Sequence, residues 1–169
     1  TGRSFRVPPA DAPYMHIWAT NASTTLEAMV NPVIAACDGG FVPDRIAIVT
    51  NPSVTATVDR AAAIMTAACV AYDDTEPTID RHPLEAETDF AAIAAAHRQI
   101  LTDAPADATV AVDITPGRKY MGAIAFAAGF RHGADHVYYL LLRSEAHYGK
   151  LYPEIPRPAV TLIDLLEAA

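Results

Sequence analysis

The chain has 169 residues, 51% of them hydrophobic and 19% charged, which excludes an intrinsically disordered segment and fits one domain with a sizeable core. Its formal net charge of −8 argues against a protein that coats long nucleic acid, yet leaves room for a small phosphate ligand in a local basic pocket. Polar residues break the apolar runs short of membrane-spanning length, no secretory signal is read, and Cys37 and Cys69 look like small buried hydrophobes in helical stretches, so a cytoplasmic protein with no membrane partner is expected.

Residues 1–13, with three prolines and little periodicity, are expected as a loose lead-in. Residues 14–20 (YMHIWAT) suit a buried strand. Ser23 or Thr24 can cap the helix that follows, with Glu27 near its first turn. That helix runs through LEAMVNPVIAAC to a stop at Gly39-Gly40, and Pro32 inside it is expected to kink or divide it. Residues 44–50 (DRIAIVT) form a second strand, ended by the Asn51-Pro52 turn. An Ala-rich helix over 57–72, a short third strand over 77–82 and a further Ala-rich helix over 87–102 follow. TVAVDI at 109–114 is a fourth strand, 118–132 a helix stopped by Gly133, and VYYLLL at 137–142 a fifth strand. From Tyr148 a proline-rich tail leads to VTLIDLLEAA, an edge strand or a short helix. Strands alternate with helices five times, so the fold class is α/β, a Rossmann-like parallel sheet of five to six strands with helices on both faces, in a single domain over residues 1–169.

In such a sheet, ligands bind beyond the carboxyl ends of the strands where the strand order reverses. Two loops stand out there. The first, Thr20-Asn21-Ala22-Ser23-Thr24-Thr25, is small and hydroxyl-rich with a helix N-terminus behind it. Free amides and the helix dipole make it a phosphate seat, or it is a Ser/Thr helix cap and nothing more. The second follows the fourth strand as Asp113-Ile114-Thr115-Pro116-Gly117-Arg118-Lys119-Tyr120-Met121. Pro-Gly makes a tight turn, and Arg118 and Lys119 then stand at the helix end that the dipole makes unfavourable for cations. An anionic ligand would explain them; ordinary surface charge is the alternative. Doubly wound order would make strands one and four neighbours and set the two loops across one crevice. Neither a GxGxxG nor a GxxxxGKS pattern is present, so classical dinucleotide or ATP binding has little support.

These segments resemble the CARF family, Rossmann-like domains associated with CRISPR defence that bind cyclic oligoadenylates. The resemblance is carried by HIWATNASTTLEAMVNPV at 16–33, by GFVPDRIAIVTNPS at 40–53, and by the D-x-T-x-G-x-K-x-M pattern of Asp113 to Met121. It extends over nearly the whole chain and is most like the stand-alone ring nucleases. What it implies is a homodimer that binds cyclic tetra-adenylate, with no metal and no cofactor. A ribose 2′-hydroxyl would attack the adjacent phosphodiester and leave linear di-adenylate with a 2′,3′-cyclic phosphate. By the same resemblance Ser23 and Lys119 are the catalytic candidates. Thr20, Asn21, Ala22, Thr24, Thr25, Asn51, Thr115, Pro116, Gly117, Arg118 and Met121 would bind the ligand, and Asp113 would order its own turn. A non-catalytic cyclic-oligoadenylate sensor, part of a larger effector, is the alternative. A Rossmann-like enzyme using a nucleotide cofactor is a third, weaker one.

The histidines carry little of this chemistry. His16 reads as a core or interface residue of the first strand, and His82, His97, His132, His136 and His147 show no metal-ligand spacing.

Overall fold

The computed structural model describes residues 15–168; the expected lead-in over 1–13 lies outside the described residues. Six strands form one sheet: β1 (His16–Asn21), β2 (Arg45–Thr50), β3 (Thr78–Pro83), β4 (Thr109–Asp113), β5 (His136–Leu142) and β6 (Val160–Asp164). Between and after them come α1 (Leu26–Asp38), α2 (Thr55–Asp73), α3 (Phe90–Asp103), α4 (Lys119–His132) and the single turn α5 (Leu165–Ala168). The strand order is β3-β2-β1-β4-β5-β6. The first five strands in that order are parallel, and β6 runs antiparallel to β5.

Both sheet faces are covered, which is why the central strands read as apolar runs. Along β1 the side chains alternate: Trp18 enters the core beneath α1 and α2, while Ile17 and Ala19 enter the core beneath α3 and α4. The first core is closed by Met29, Val33 and Ala36 of α1 against Val58, Ala61 and Met65 of α2. The second is closed by Ile93, Ile100 and Leu101 of α3 against Met121, Ala125 and Ala128 of α4. Trp18 is fully buried and stacks on Tyr138 of β5, with ring centroids 5.7 Å apart. Cys37 and Cys69 are free, buried and near enough for each thiol to perturb the other. Their helical setting was legible; their meeting was not.

Several expectations need correction. Pro32 does not divide α1, which is continuous from Leu26 to Asp38; the proline is buried, and packing on both sides holds the helix despite the missing amide donor. Neither Ser23 nor Thr24 is the cap. The Ser23 hydroxyl accepts from the Thr25 amide at 3.1 Å, forming a turn ahead of the helix, so that Thr25 becomes the N-cap without a side-chain bond of its own. The tail supplies both alternatives, strand β6 and then α5, and the sixth strand is the one that breaks the all-parallel pattern. By length and apolarity α2 with the turn before it would suffice to cross a membrane, contrary to the reading of the apolar runs. Its inner face is packed on α1, and Asp59 within it pairs with Arg81 of β3 at 2.7 Å.

Candidate functional site

Strands β1 and β4 are direct neighbours in the sheet. From β1 the chain leaves into α1 on one face, and from β4 into α4 on the other. The carboxyl ends of these two strands are therefore the switch point, where diverging connections open a crevice. A cleft with about 500 Å3 of open space lies there. Ala22, Ser23, Thr24 and Thr25 line it from the first loop, Gly117, Arg118 and Met121 from the second. Asn51 and Val54 add the end of β2, and Glu87 the loop between β3 and α3. The two loops thus meet, as the strand order required.

Local chemistry explains the walls. Gly117 adopts φ +92°, and a Cβ there would stand 3.0 Å from Met121 Sδ and 3.4 Å from Asn21 Cβ. Only glycine brings the turn this close to the end of β1. The N-caps of α1 and α4, Thr25 and Arg118, make no side-chain capping bond, whereas α3 is capped by Asp89, which accepts from the Ala92 amide at 3.0 Å. Two helix N-termini without a side-chain acceptor therefore flank the cleft, a setting that favours an anion. Asn51 is committed locally, its Oδ1 accepting from the Ser53 amide at 3.0 Å.

Beneath the walls lies a buried polar layer. Thr20 Oγ1 donates to Asp113 Oδ2 at 3.1 Å, and the Thr115 amide donates to Asp113 Oδ1 at 2.9 Å. Thr115 Oγ1 in turn accepts from the Leu140 amide at 2.9 Å. Asp113 orders its own turn and ties it to β1. Burial pushes its carboxyl up to about 7, and the bonds from Thr115 and Thr20 oppose that shift. Asn21 is buried, accepting at Oδ1 from His97 at 2.9 Å and offering Nδ2 to the Met121 carbonyl at 3.5 Å. Thr20, Asn21, Thr115 and the buried Pro116 accordingly support the cleft from behind its surface.

The cations are placed less simply. Arg118 Nη2 pairs with Glu87 Oε1 at 3.5 Å, so part of the charge that asked for an anion finds one within the chain. The same loop is anchored by Tyr120, whose hydroxyl donates to the Glu87 carbonyl at 2.8 Å. Lys119, the first residue of α4, is exposed and is not among the residues that line the cleft. Sequence reasoning missed Glu87, Val54 and His97. For His97 a signal existed, since it occupies the buried face of α3 with Ile93, Ile100 and Leu101. Among the described residues, no group of three or more His, Cys, Asp or Glu side chains comes together as a metal site.

A mostly parallel six-strand sheet flanked by helices is consistent with the Rossmann-like CARF fold. No protein-family model matches the sequence, and no curated protein matches it. Solved structures do. Csm6 of Enterococcus italicus, bound to cyclic hexa-2′-fluoro-hexa-dAMP, superposes with a TM-score of 0.59 at 14% identity, over 92% of this chain and 44% of its own. Protein VC1899 from Vibrio cholerae gives a TM-score of 0.58 at 14% identity, over 74% of this chain and 30% of its own. The likeness is one of fold, and the chain spans less than half the length of either structure.

Proposed function

We propose that the chain binds a cyclic oligoadenylate in the β1–β4 crevice and, as a cytoplasmic homodimer, cleaves cyclic tetra-adenylate without a metal. The observation that carries this reading is the meeting of the hydroxyl-rich loop and the Gly117-Arg118 turn in one cleft. The fold likeness to a protein solved with a cyclic hexanucleotide supports it. A ring with two-fold symmetry suits a C2 dimer with the ligand on its axis.

In the proposed reaction the ribose O2′ forms a bond to phosphorus and the P–O5′ bond breaks. The 2′-hydroxyl loses its proton and the departing O5′ gains one, so no water is consumed and a 2′,3′-cyclic phosphate remains. Catalysis then needs alignment of the attacking oxygen and stabilisation of negative charge. Ser23 is suited to alignment, because its oxygen already accepts from Thr25, which leaves its hydroxyl proton free to donate to a phosphate or ribose oxygen. Lys119 is assigned the stabilisation of charge, with Arg118 assisting once a phosphate competes with Glu87.

A non-catalytic sensor is the second reading. It is favoured by the position of Lys119 outside the cleft lining and by the Arg118–Glu87 pair. Incubation with cyclic tetra-adenylate and EDTA, followed by chromatography, separates the two. Linear di-adenylate with a cyclic phosphate end is the expected product. Intact ligand that nevertheless binds tightly would leave the sensor, and absence of binding would remove both.

A further inference from the structure

His97 is completely buried on α3, among apolar neighbours. Its Nε2 lies 2.9 Å from Asn21 Oδ1, while its Nδ1 has no hydrogen-bond partner among the described residues. The orientation of the Asn21 amide follows from its two ends. Turned over, its oxygen would face the Met121 carbonyl, acceptor against acceptor; as placed, Nδ2 faces that carbonyl and Oδ1 faces the imidazole. Nε2 must therefore carry the proton, and the bare Nδ1 is an unpaired acceptor in an apolar core. Burial, with a smaller contribution from His82, pushes the ring down to about 4, so the imidazole stays neutral around neutral pH. An aliphatic side chain at this position would remove the bare Nδ1 but leave the buried Asn21 Oδ1 without its donor. The imidazole is therefore the donor that fixes one end of the Asn21 amide.

We propose that His97 is a positioning residue of the crevice: its Nε2–H holds Asn21 Oδ1 and thereby turns the Asn21 amide nitrogen toward the first turn of α4. Asn21 Nδ2 faces the Met121 carbonyl at 3.5 Å, so the orientation of this one amide sets how the first turn of α4 seats against β1. The chain of contact runs from α3 through Asn21 to Met121, which lines the cleft. The inference rests on the reading of that cleft as the ligand site, and adds to it a remote element that controls its shape.

The test uses the whole chain and has two arms. Long-range 1H–15N spectra of the imidazoles should show His97 as the neutral Nε2–H tautomer from pH 8 down to about 5.5, a range well above its lowered pKa. An Nδ1–H tautomer, or titration in that range, would overturn the proposal without reference to any ligand. In the second arm, calorimetric affinity for cyclic tetra-adenylate, measured well below the unfolding temperature of each variant, should fall roughly 10-fold in His97→Leu and remain within about 3-fold in His97→Gln, whose amide retains a donor. The same His97→Leu change made on an Asn21→Ala background should have no further effect. His97→Leu binding as tightly as wild type, or His97→Gln binding as weakly as His97→Leu, would defeat the proposal. Wild-type chain that binds no cyclic tetra-adenylate would defeat the functional reading itself, before any variant is compared. Should His97→Leu fail to fold, the tautomer and the His97→Gln affinity still decide.

Discussion

Arg118 and Glu87 face each other across the crevice, guanidinium nitrogen to carboxylate oxygen at 3.5 Å, although they come from different loops 31 residues apart. The contact places an internal anion beside the cation that a phosphate would need. Both side chains are substantially exposed, so the pair contributes only about 0–1 kcal/mol and is screened by salt. A phosphate can therefore displace the carboxylate at small cost, but must do so against its charge. Glu87→Gln should tighten binding of cyclic tetra-adenylate about 2–5-fold at low salt, with the gain shrinking as salt is added. Isothermal titration at two ionic strengths measures it. Weaker binding would instead mean that Glu87 contacts the ligand favourably.

Lys119 and Ser23 are separable by kinetics. Lys119→Ala removes charge stabilisation in the transition state and should lower kcat by about 100-fold or more while changing KM little. Ser23→Ala should lower kcat and raise KM together, because the hydroxyl is assigned to orient bound substrate as well. Single-turnover product formation on chromatography gives both. Turnover of Lys119→Ala at the wild-type rate would take Lys119 out of the mechanism, in line with its place outside the cleft lining.

Gly117→Ala tests the wall between the loops. The residue sits at φ +92°, and a methyl group would press on Met121 Sδ at 3.0 Å. Strain in the left-handed region and overpacking together should cost about 2–4 kcal/mol. For a chain of this length that is a fall in Tm of roughly 5–15 °C. Trp18, the sole tryptophan and fully buried, reports the transition by fluorescence. An unchanged Tm would show that the turn relaxes freely and does not pin the crevice.

How much of this was readable beforehand follows from where each feature originates. The alternation of apolar strands with helices reflects burial on both faces of a parallel sheet, a property each segment carries locally. The meeting of the Ser23 loop and the Gly117 turn then followed from a strand order that places β1 beside β4. Glu87 was not legible, because its position depends on the path of the loop from β3 to α3 rather than on any local pattern. Asn21 and His97 were each visible as residues, Asn21 in the loop and His97 on an apolar helix face. Their bond joins positions 76 apart and exists only because β1 directs Asn21, like Ile17 and Ala19, toward α3. The antiparallel direction of β6, though not the strand itself, escaped for a related reason: an edge strand is half-buried, and its direction is set by the connection, not by its own residues.

Asp113 and His97, both fully buried beneath the crevice, should respond to pH in opposite senses. Burial raises the Asp113 carboxyl from 3.8 to about 7, so folding favours its protonated form. The stability it contributes is complete below about pH 3.8 and is lost as pH rises through about 7. Burial lowers His97 from 6.5 to about 4, so its contribution is complete above about pH 6.5 and is lost as pH falls through about 4. Within its window each group changes stability by up to about 1.4 kcal/mol per pH unit. Between roughly pH 4 and 6.5 the two slopes oppose each other and largely cancel in the wild type. Single substitutions should uncover them. From about pH 7 to about pH 5, Asp113→Asn should lose stability and His97→Gln should gain it, relative to wild type over the same interval. Urea midpoints followed by Trp18 fluorescence provide the comparison, and the remaining carboxylates form a background common to both variants. Parallel pH slopes in the two variants would mean that one of these buried groups does not titrate as its surroundings require.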